Sequence, residues 1–523
     1  MTKSVKKFVI LLVALLMCLA VVFAACGKSN FTPVSKPDSA EPQSNGGIAV
    51  VYGEWLYYVN GYTSDVSAEN TYSDDVKTAP RIGSVVRIRV AEIETILAIK
   101  DDKNLSNSEQ TEKIAKAIRG DKEVTEELKI KGAETVVPKI YYSGNTTTTQ
   151  FTGIYIFNDR IYVTTPSDKL TANGNPMTEQ LQLMSFDLGG GSSKLHYTFT
   201  SNSAQICFKQ VGNTLFATYL MDSVLHTLNV DEGKDTVVTH NYGKLTHLKN
   251  TVSGVNWDNI KDKEAVFFID EFGSICKLPI GATEYTVIVE NDTYKEHNDH
   301  IEAGDTTYTI SFVNDGIVYY TKATGDSTAT DNLILYCATD AEHNEITALP
   351  TTSVSVQGWK EDKLIITDSF KVIDKEVTRT YYTISIVEPV KGEDGKVTYI
   401  TTPILPYGMH DSSITINKIE GDKLYYTTDN IYYVVDLSKW EELKEDEEGN
   451  KFLTSDALAK NIASTTGWAA PDFIDIKTAD DVVLHYIISA STDVVTLTKF
   501  DPADPSGSPV SIALTLTAAP VEE

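Results

Sequence analysis

The stretch from Gly421 to Leu437, GDKLYYTTDNIYYVVDL, contains two runs of strand-forming residues, each preceded by a turn signal. Leu424 to Thr427 follows the pair Gly421-Asp422, and Ile431 to Val435 follows Asp429-Asn430. Aromatic and β-branched residues favour strands, whereas Gly, Asp and Asn favour turns. The stretch therefore predicts two antiparallel strands of one sheet.

The same pattern of a turn followed by an aromatic or β-branched strand recurs along the chain. After the first copy, the starts lie 47 to 60 residues apart. Repeats of this length are typical of arrays, propellers and solenoids. The eight copies are Gly53 to Val59, Asn158 to Thr164, Gly212 to Thr218, Asp262 to Ile269, Asn314 to Tyr320, Glu361 to Thr367, Gly421 to Thr427 and Ala479 to Tyr486.

Further strand patterns on both sides of these copies give about four short strands per unit, which is the number in a propeller blade. We therefore predict an all-β fold, a single β-propeller of four-stranded antiparallel blades. The eight copies indicate about eight blades, with seven as the alternative if one unit is irregular. A β-solenoid is the main rival, but its repeats are shorter and carry fewer hairpin turns. A closed ring should bring Ile48 to Tyr52 close to Val510 to Leu516.

Composition fits one large β domain with an acidic surface. The chain has 523 residues, of which 41% are hydrophobic and 27 are tyrosines, enough for a sizeable core. Its formal net charge is −28, and it is −31 from Cys26 onward because the first 25 residues carry three lysines and no acidic residue. Such a surface repels nucleic acid and anionic lipid head groups. High solubility is the simple interpretation, and attraction of a cationic partner or metal ions is the alternative.

The N-terminus predicts export and lipid attachment. Three lysines precede an unbroken apolar run over residues 8–25, and Ala24-Ala25 stand directly before Cys26. This order resembles a bacterial lipoprotein signal, which implies that Cys26 is lipidated and becomes the mature N-terminus. We expect a signal peptide over residues 1–25, a flexible tether over residues 26–47 and the propeller domain over residues 48–523. The alternative, an uncleaved membrane anchor, also places the domain outside the cytoplasm.

The cysteines do not describe a disulfide framework. The chain has five of them, Cys18, Cys26, Cys207, Cys276 and Cys337, and only the last three belong to the predicted domain. We interpret these three as small apolar residues in strands.

Two insertions interrupt the repeat. The first, near residues 104–132, contains helix signals: Ser106 with Glu109 as a capping box, an apolar face around Ile114, and Gly120 as a stop. The second, near residues 438–471, contains the acidic run EELKEDEEGN and a short helical pattern over residues 456–463. Binding elements and surface decoration are equally good interpretations of both insertions.

Residues Gly421 to Leu437 also resemble a known family of propellers. The match to the low-density-lipoprotein-receptor type, the Tyr-Trp-Thr-Asp family, and to related domains of surface lipoproteins of Gram-positive bacteria rests on Leu424, Tyr425, Thr427 and Asp436. The family's tryptophan and aspartate are replaced by Tyr426 and Thr428. The resemblance implies a propeller with an adhesive or protein-binding role, and it implies no chemistry.

A search for catalytic motifs identifies no catalytic residue and no cofactor-binding residue. The nearest pattern to a metal site is Glu296-His297-Asn298-Asp299-His300-Ile301-Glu302, which we interpret as a solvated loop rather than a metal site. Adjacent tyrosines recur as well, and they point to opposite sides of a strand. We expect each pair to pack against both neighbouring blades rather than form a sugar-stacking surface; the pairs are Tyr57-Tyr58, Tyr141-Tyr142, Tyr319-Tyr320, Tyr381-Tyr382, Tyr425-Tyr426 and Tyr432-Tyr433.

These observations favour a lipid-anchored, non-enzymatic propeller on the outer face of a bacterial cytoplasmic membrane. We expect it to be a monomer that binds an envelope protein, a peptide or a cell-wall glycan, without nucleic acid as a partner. The alternative is an extracellular polysaccharide-active hydrolase or lyase with its site at one mouth of the channel. A solute-binding lipoprotein fits less well, because such proteins are α/β whereas strands here follow strands.

Overall fold

A computed structural model provides the structure of the protein. It describes residues 43–61, 82–138, 153–166, 181–200, 205–212, 214–240, 249–256, 265–297, 300–314, 316–325, 333–338, 343–349, 355–359, 363–374, 377–391, 397–405, 408–438, 444–445, 451–452, 460–464, 472–477, 482–491, 494–502 and 509–517. The predicted signal peptide, Cys26 and the pair Tyr141-Tyr142 lie outside these residues.

The first half of the described chain forms four successive antiparallel sheets. Strand β1 (Gln43–Gly47) precedes them and pairs with the second sheet. Sheet 1 comprises β2 (Ala49–Tyr52), β3 (Trp55–Val59), β4 (Val85–Arg89) and β5 (Glu134–Val137); sheet 2 comprises β6 (Ile154–Phe157), β7 (Arg160–Pro166), β8 (Leu181–Asp187) and β9 (Lys194–Thr198). Sheet 3 comprises β10 (Gln205–Val211), β11 (Thr214–Met221), β12 (Val224–Asn229) and β13 (Lys234–Val237). Strand β14 (Thr239–His240) joins sheet 4, which comprises β15 (Ser253–Asn256), β16 (Ala265–Ile269), β17 (Ile275–Pro279) and β18 (Glu284–Val289).

The second half forms four more sheets of the same kind. A short hairpin of β19 (Lys295–Glu296) and β20 (Ile301–Glu302) precedes sheet 5, which comprises β21 (Thr306–Asn314), β22 (Ile317–Thr324), β23 (Leu333–Ala338) and β24 (His343–Leu349). Sheet 6 comprises β25 (Ser355–Trp359), β26 (Lys363–Asp374), β27 (Val377–Lys391) and β28 (Val397–Pro403). Sheet 7 comprises β29 (Thr415–Glu420), β30 (Lys423–Thr428), β31 (Ile431–Asp436) and β34 (Lys460–Ser464), with the hairpin of β32 (Lys444–Glu445) and β33 (Lys451–Phe452) between its last two strands. Sheet 8 comprises β35 (Asp472–Lys477), β36 (Val483–Ala490), β37 (Val495–Phe500) and β38 (Val510–Ala513).

The expected propeller of four-stranded antiparallel blades is confirmed. Eight sheets of four or five strands follow one another along the described chain, and each predicted turn-plus-strand copy supplies the second strand of one sheet. First strands of neighbouring sheets contact one another, as β21 does with β25, whereas fourth strands such as β9 have exposed residues. The first strands therefore line the inside of the ring, and the fourth strands form its rim.

Among the described residues, the ring closes without exchange of a strand between its first and last sheets. Each of the two predicted segments bonds across the closure, but to a partner outside the other segment. The Ala49 amide donates to Asp472 Oδ2 at 2.8 Å, and the Tyr58 hydroxyl donates to the Leu514 carbonyl at 2.7 Å. The side chain of Asn60 donates to the Leu516 carbonyl and accepts from the Leu516 amide, both at 2.8 Å. We refer to this boundary between sheets 1 and 8 as the closing interface.

The first insertion contains the predicted helix, with its predicted ends. Helix α2 (Asn107–Arg119) begins after Ser106, whose side chain accepts from the Glu109 amide while the Glu109 carboxylate accepts from the Ser106 amide. It ends at Gly120, whose φ of 82° places it in the left-handed region that glycine tolerates best. The predicted face is buried.

Other helices of this insertion were not predicted. Helix α1 (Val90–Leu97) continues into a 3₁₀ helix (Ala98–Asp101), and α3 (Lys122–Leu128) follows α2. The buried Ile93, Ile96 and Leu97 repeat at helical spacing, and that period is the sequence signal for α1. The insertion therefore begins at Val90, immediately after β4, rather than near residue 104.

Two sequence predictions need correction. The helical pattern over residues 456–463 is wrong where the structure describes it, because β34 (Lys460–Ser464) pairs with β31 as the fourth strand of sheet 7. Its Ile462 is buried and Asn461 is exposed, a strand alternation that the sheet edge stabilises with hydrogen bonds. The predicted tether ends earlier than residue 47, because β1 pairs with β6, where the inner edge of sheet 2 supplies backbone partners even to a Gly- and Ser-rich sequence.

Two of the tyrosine pairs, Tyr57-Tyr58 and Tyr425-Tyr426, pack as predicted. Tyr57 donates to the Leu188 carbonyl, next to sheet 2, while Tyr58 points the other way to Leu514. Tyr425 packs against aromatic rings of sheet 8, and Tyr426 belongs to an apolar cluster shared with sheet 6. The paired rings therefore join neighbouring blades.

Candidate functional site

Strand direction divides the ring into two faces. Neighbouring strands within each four-stranded sheet are antiparallel, so its first and third strands run in the same direction. The connection from the first to the second strand and the connection from the third to the fourth therefore lie on the same face of the ring. Helices α1–α3 follow β4, a third strand, and the hairpin of β32 and β33 follows β31, also a third strand. Both insertions thus lie on one face, which we call the helix face; the opposite side is the distal face.

Strand β1 begins near the helix face. It runs antiparallel to β6, with Gln43 opposite Ile156 and Gly47 opposite Ile154. Because β6 is a first strand, β1 lies on the channel side of sheet 2, and it also contacts β2 and β10. The chain therefore enters the described ring from the helix face and turns near the distal face into β2.

The distal face carries the hairpin of β26 and β27, which has the longest register of paired residues among the described strands. Strands β26 and β27 pair from Leu364 opposite Val387 out to Asp374 opposite Val377, whereas β25 pairs only as far as Thr367. At about 3.3 Å per residue, this hairpin projects roughly 20 Å beyond the rest of its sheet. The small hairpin of β19 and β20 lies on the same face, in the connection between sheets 4 and 5.

The predicted polar loop at residues 296–302 is that small hairpin. Its His297 and His300 rings stack with centroids 4.6 Å apart, and His297 Nε2 lies 3.1 Å from Glu302 Oε2. The side chains of His297 and Glu302 are well exposed, which agrees with a solvated loop. Asn298 and Asp299 lie outside the described residues.

Cys207 and Cys276 are buried strand residues, as predicted, and Cys337 lies in β23. Cys207 lies in β10, and Cys276 lies in β17 with its thiol donating to Asp270 Oδ2 at 3.4 Å. Burial raises the pKa of the Cys276 thiol far above its ordinary value, which disfavours a nucleophilic thiolate. Asp270 also accepts from the Phe272 and Ser274 amides and so holds the turn between β16 and β17. The group is structural.

Two histidine clusters lie in sheets 2 and 3. His196 Nε2 lies 2.8 Å from the Ser185 hydroxyl, and its Nδ1 lies 3.2 Å from the Val230 carbonyl. His226 Nδ1 lies 2.9 Å from Asp235 Oδ2, and its ring stacks on Tyr219 at 4.8 Å. Ser185 is fully buried, so its hydroxyl cannot meet a substrate. The His196 cluster therefore satisfies buried polar groups between two blades, whereas the contacts of His226 lie within sheet 3.

A third group brings potential metal ligands together where sheets 7 and 8 meet. Glu420 ends β29, Asp475 lies in β35 and His485 lies in β36. One ligand atom from each lies within 4.8 Å of the others, and His485 Nδ1 is 2.8 Å from Asp475 Oδ1. Lys418 Nζ lies 2.9 Å from Glu420 Oε2 and 3.6 Å from Asp475 Oδ2. We call these four residues the sheet 7–8 cluster.

Sequence analysis did not single out this cluster, although part of its signal is visible. Glu420 directly precedes the turn at Gly421, and Asp475 and His485 face each other across the pair of β35 and β36. Strand register alone pairs the last two residues. Their proximity to Glu420 depends on the packing of one blade against the next, which the repeat pattern does not specify.

Within the described residues, no helix has the length and apolar character needed to cross a membrane.

Comparisons with known proteins find similar solved structures but no matching family. No family model matches the chain, and no curated protein matches it. Among solved structures, the chain is similar to the β-propeller domain of the Trilobed protease from Pyrococcus furiosus, with 10% identity, a TM-score of 0.33 and coverage of 72% of this chain and 97% of that one. It is also similar to an oligogalacturonate lyase in complex with manganese, with 12% identity, a TM-score of 0.32 and coverage of 64% and 85%. Domains 1–2 of the extracellular part of Drosophila Semaphorin 1b match with 9% identity, a TM-score of 0.33 and coverage of 60% and 79%.

Proposed function

We propose that this protein is a lipid-anchored, extracytoplasmic β-propeller that binds an envelope protein, a peptide or a cell-wall glycan without chemical turnover. The observation that carries the proposal is the direction of β1. It places Gln43 near the helix face and leaves the projecting hairpin of β26 and β27 on the distal face. A lipid at Cys26 would then hold the helix face toward the membrane and present the distal face to partners.

Chain length supports this orientation. Sixteen residues, 27–42, lie between Cys26 and Gln43. A flexible segment of this length spans roughly 20–25 Å on average, so the face nearest Gln43 is the face nearest the lipid. The resemblance to surface-lipoprotein propellers of the Tyr-Trp-Thr-Asp type belongs to the same proposal.

The distal face also suits recognition for a physical reason. The ring beneath it is built from packed blades, and loops on a rigid scaffold are where binding residues concentrate. The formal charge of −28 favours partners that carry cationic groups or are neutral.

Affinity capture tests the binding role. Residues 27–523, which retain β1, are immobilised and exposed to solubilised envelope. We compare this bait with a variant that shortens the β26–β27 hairpin on the distal face and with a charge-reversed pair, Lys113→Glu with Glu127→Lys, on the helix face. Partners should be lost only with the shortened hairpin. Loss only with the helix-face variant would refute the orientation, and cleavage of a cell-wall glycan would favour the hydrolase or lyase alternative.

Lipid attachment is tested separately in the full-length chain. Incorporation of a palmitate analogue and retention in the membrane fraction should both disappear in Cys26→Ser. Retention of that variant in membranes would favour the uncleaved anchor.

A further inference from the structure

We propose that Glu420, Asp475 and His485 form a binding site for one divalent transition-metal ion of the zinc class, which would link sheets 7 and 8. The donor set of one imidazole nitrogen and carboxylate oxygens is one that such ions accept. The three residues come from two blades, and each lies on a strand rather than on a loop.

The distances fit a small ion. Tetrahedral coordination at 2.0–2.1 Å places ligand atoms about 3.3 Å from one another. His485 Nδ1 and Asp475 Oδ1 are already 2.8 Å apart, and all three ligand atoms lie within 4.8 Å of one another. Side-chain shifts of roughly 1.5 Å complete the geometry and leave a fourth position for water.

The backbone aims these residues at one another. A bulge in β29 between Ile416 and Lys418 breaks the strand alternation. As a result Ile416 packs in the apolar cluster with sheet 6, whereas Lys418 and Glu420 turn toward Asp475 in sheet 8. Bulges commonly re-aim side chains next to functional sites.

The surroundings strengthen charge interactions at the cluster. The ring of Phe500 lies 5.9 Å from the ring of His485, and the Lys418 ammonium lies 5.9 Å from the centre of the Tyr425 ring, so one side of the cluster is apolar. Electrostatic attraction is stronger beside such a surface than in open water.

Lys418 provides a direct test of the proposal, because its ammonium lies where a metal ion would compete with it for the two carboxylates. It pairs with both carboxylates, and its side chain is 29% exposed, so it can move into solvent. A purely structural ion-pair network would use Lys418 permanently. A metal site instead requires that Lys418 be displaced, and removal of its charge should then tighten binding.

The experiment uses the full-length chain, stripped of metal with a chelator and titrated with ZnCl₂ by calorimetry. All proteins carry His297→Ala and His300→Ala, which remove the exposed histidine pair as a competing site. We expect one zinc ion per chain in this background and a raised melting temperature. His485→Gln should weaken binding at least tenfold, Glu420→Gln should weaken it severalfold, and Lys418→Met should tighten it at least tenfold.

The matched control is His226→Gln. It disrupts the other His–Asp pair, at 2.9 Å, which lies outside the sheet 7–8 cluster, and it should leave zinc affinity unchanged. Circular dichroism checks that each variant is folded. Equal zinc affinity in His485→Gln, or no gain in Lys418→Met, would show adventitious zinc only and overturn the proposal.

Discussion

At the closing interface, the side chain of Asn60 makes the two hydrogen bonds with Leu516 that the backbone of a neighbouring strand would make. Its removal should therefore weaken the ring. Its amide nitrogen donates to the Leu516 carbonyl and its amide oxygen accepts from the Leu516 amide, each at 2.8 Å. Asn60 is fully buried and Leu516 is 4% exposed. Asn60→Ala therefore leaves one backbone donor and one backbone acceptor without these partners.

The magnitude follows from those two groups. A buried polar group left without a hydrogen bond costs about 1–3 kcal/mol, so the variant should lose about 2–5 kcal/mol of unfolding free energy. Asn60→Asp is the matched control, since it retains the acceptor for the Leu516 amide and loses only the donor to the carbonyl. It also places a carboxylate beside that carbonyl, so we expect a loss of similar size but a protected Leu516 amide.

Two measurements check this expectation. Urea denaturation gives the shift of the midpoint, and amide hydrogen exchange reports the Leu516 amide directly. Exchange at Leu516 should accelerate in Asn60→Ala and much less in Asn60→Asp. A loss below about 0.5 kcal/mol, the size of an ordinary surface substitution, together with unchanged Leu516 exchange would refute the role assigned to Asn60.

Three further predictions follow from named contacts. Tyr58→Phe removes the hydroxyl that donates to the Leu514 carbonyl at 2.7 Å, and its unfolding free energy should fall by about 1–3 kcal/mol in urea titrations. Ser106→Ala removes the cap of α2 and should cost about 1 kcal/mol, measured as faster amide exchange in the first turn of the helix. Burial lowers the pKa of both His196 and His410, so the unfolded chain binds more protons than the folded one near the ordinary histidine pKa of about 6.5. The contribution of these two histidines to the unfolding free energy should therefore be fully present above pH 6.5 and be lost as pH falls through their lower folded-state pKa values. The decline should be shallower in His410→Gln.

Each of these outcomes has a clear opposite. A Tyr58→Phe protein as stable as the wild type would mean that water replaces the hydroxyl at the closing interface. Unchanged exchange in Ser106→Ala would mean that packing, not the cap, fixes the start of α2. A urea midpoint that rises from pH 7 to pH 5 would contradict the neutral state assigned to the two histidines.

Local turn and strand patterns in the sequence predict most of the fold. The turn pairs Asn158-Asp159 and Asp429-Asn430 adopt positive φ at both residues, which suits tight hairpins, so these two predicted turns are confirmed and set the register of their strands. Because side chains alternate along a strand, the same register places Tyr57 and Tyr58 on opposite sides.

The candidate site could not be read in the same way. Glu420 and His485 are 65 positions apart and belong to different repeats. Their contact depends on a bulge in β29 and on how sheet 8 packs against sheet 7, and neither leaves a periodic signal. The helical prediction over residues 456–463 is wrong for a related reason. Pairing with the edge of sheet 7 makes Lys460–Ser464 a strand and overrides a weak local helical pattern.

Packing of the helical insertion against sheet 8 explains how the described ring is held closed without strand exchange. Apolar residues of α1 and α2, such as Ile96 and Ile118, share one cluster with Leu497 and Ile512 of sheet 8. At the edge of that cluster, Glu94 accepts hydrogen bonds from the Tyr486 hydroxyl and the Lys499 ammonium. Sheet 1 thus holds sheet 8 through its insertion as well as through Tyr58 and Asn60. A first insertion that only decorated the surface would leave this cluster exposed, so its structural role is to secure the closing interface.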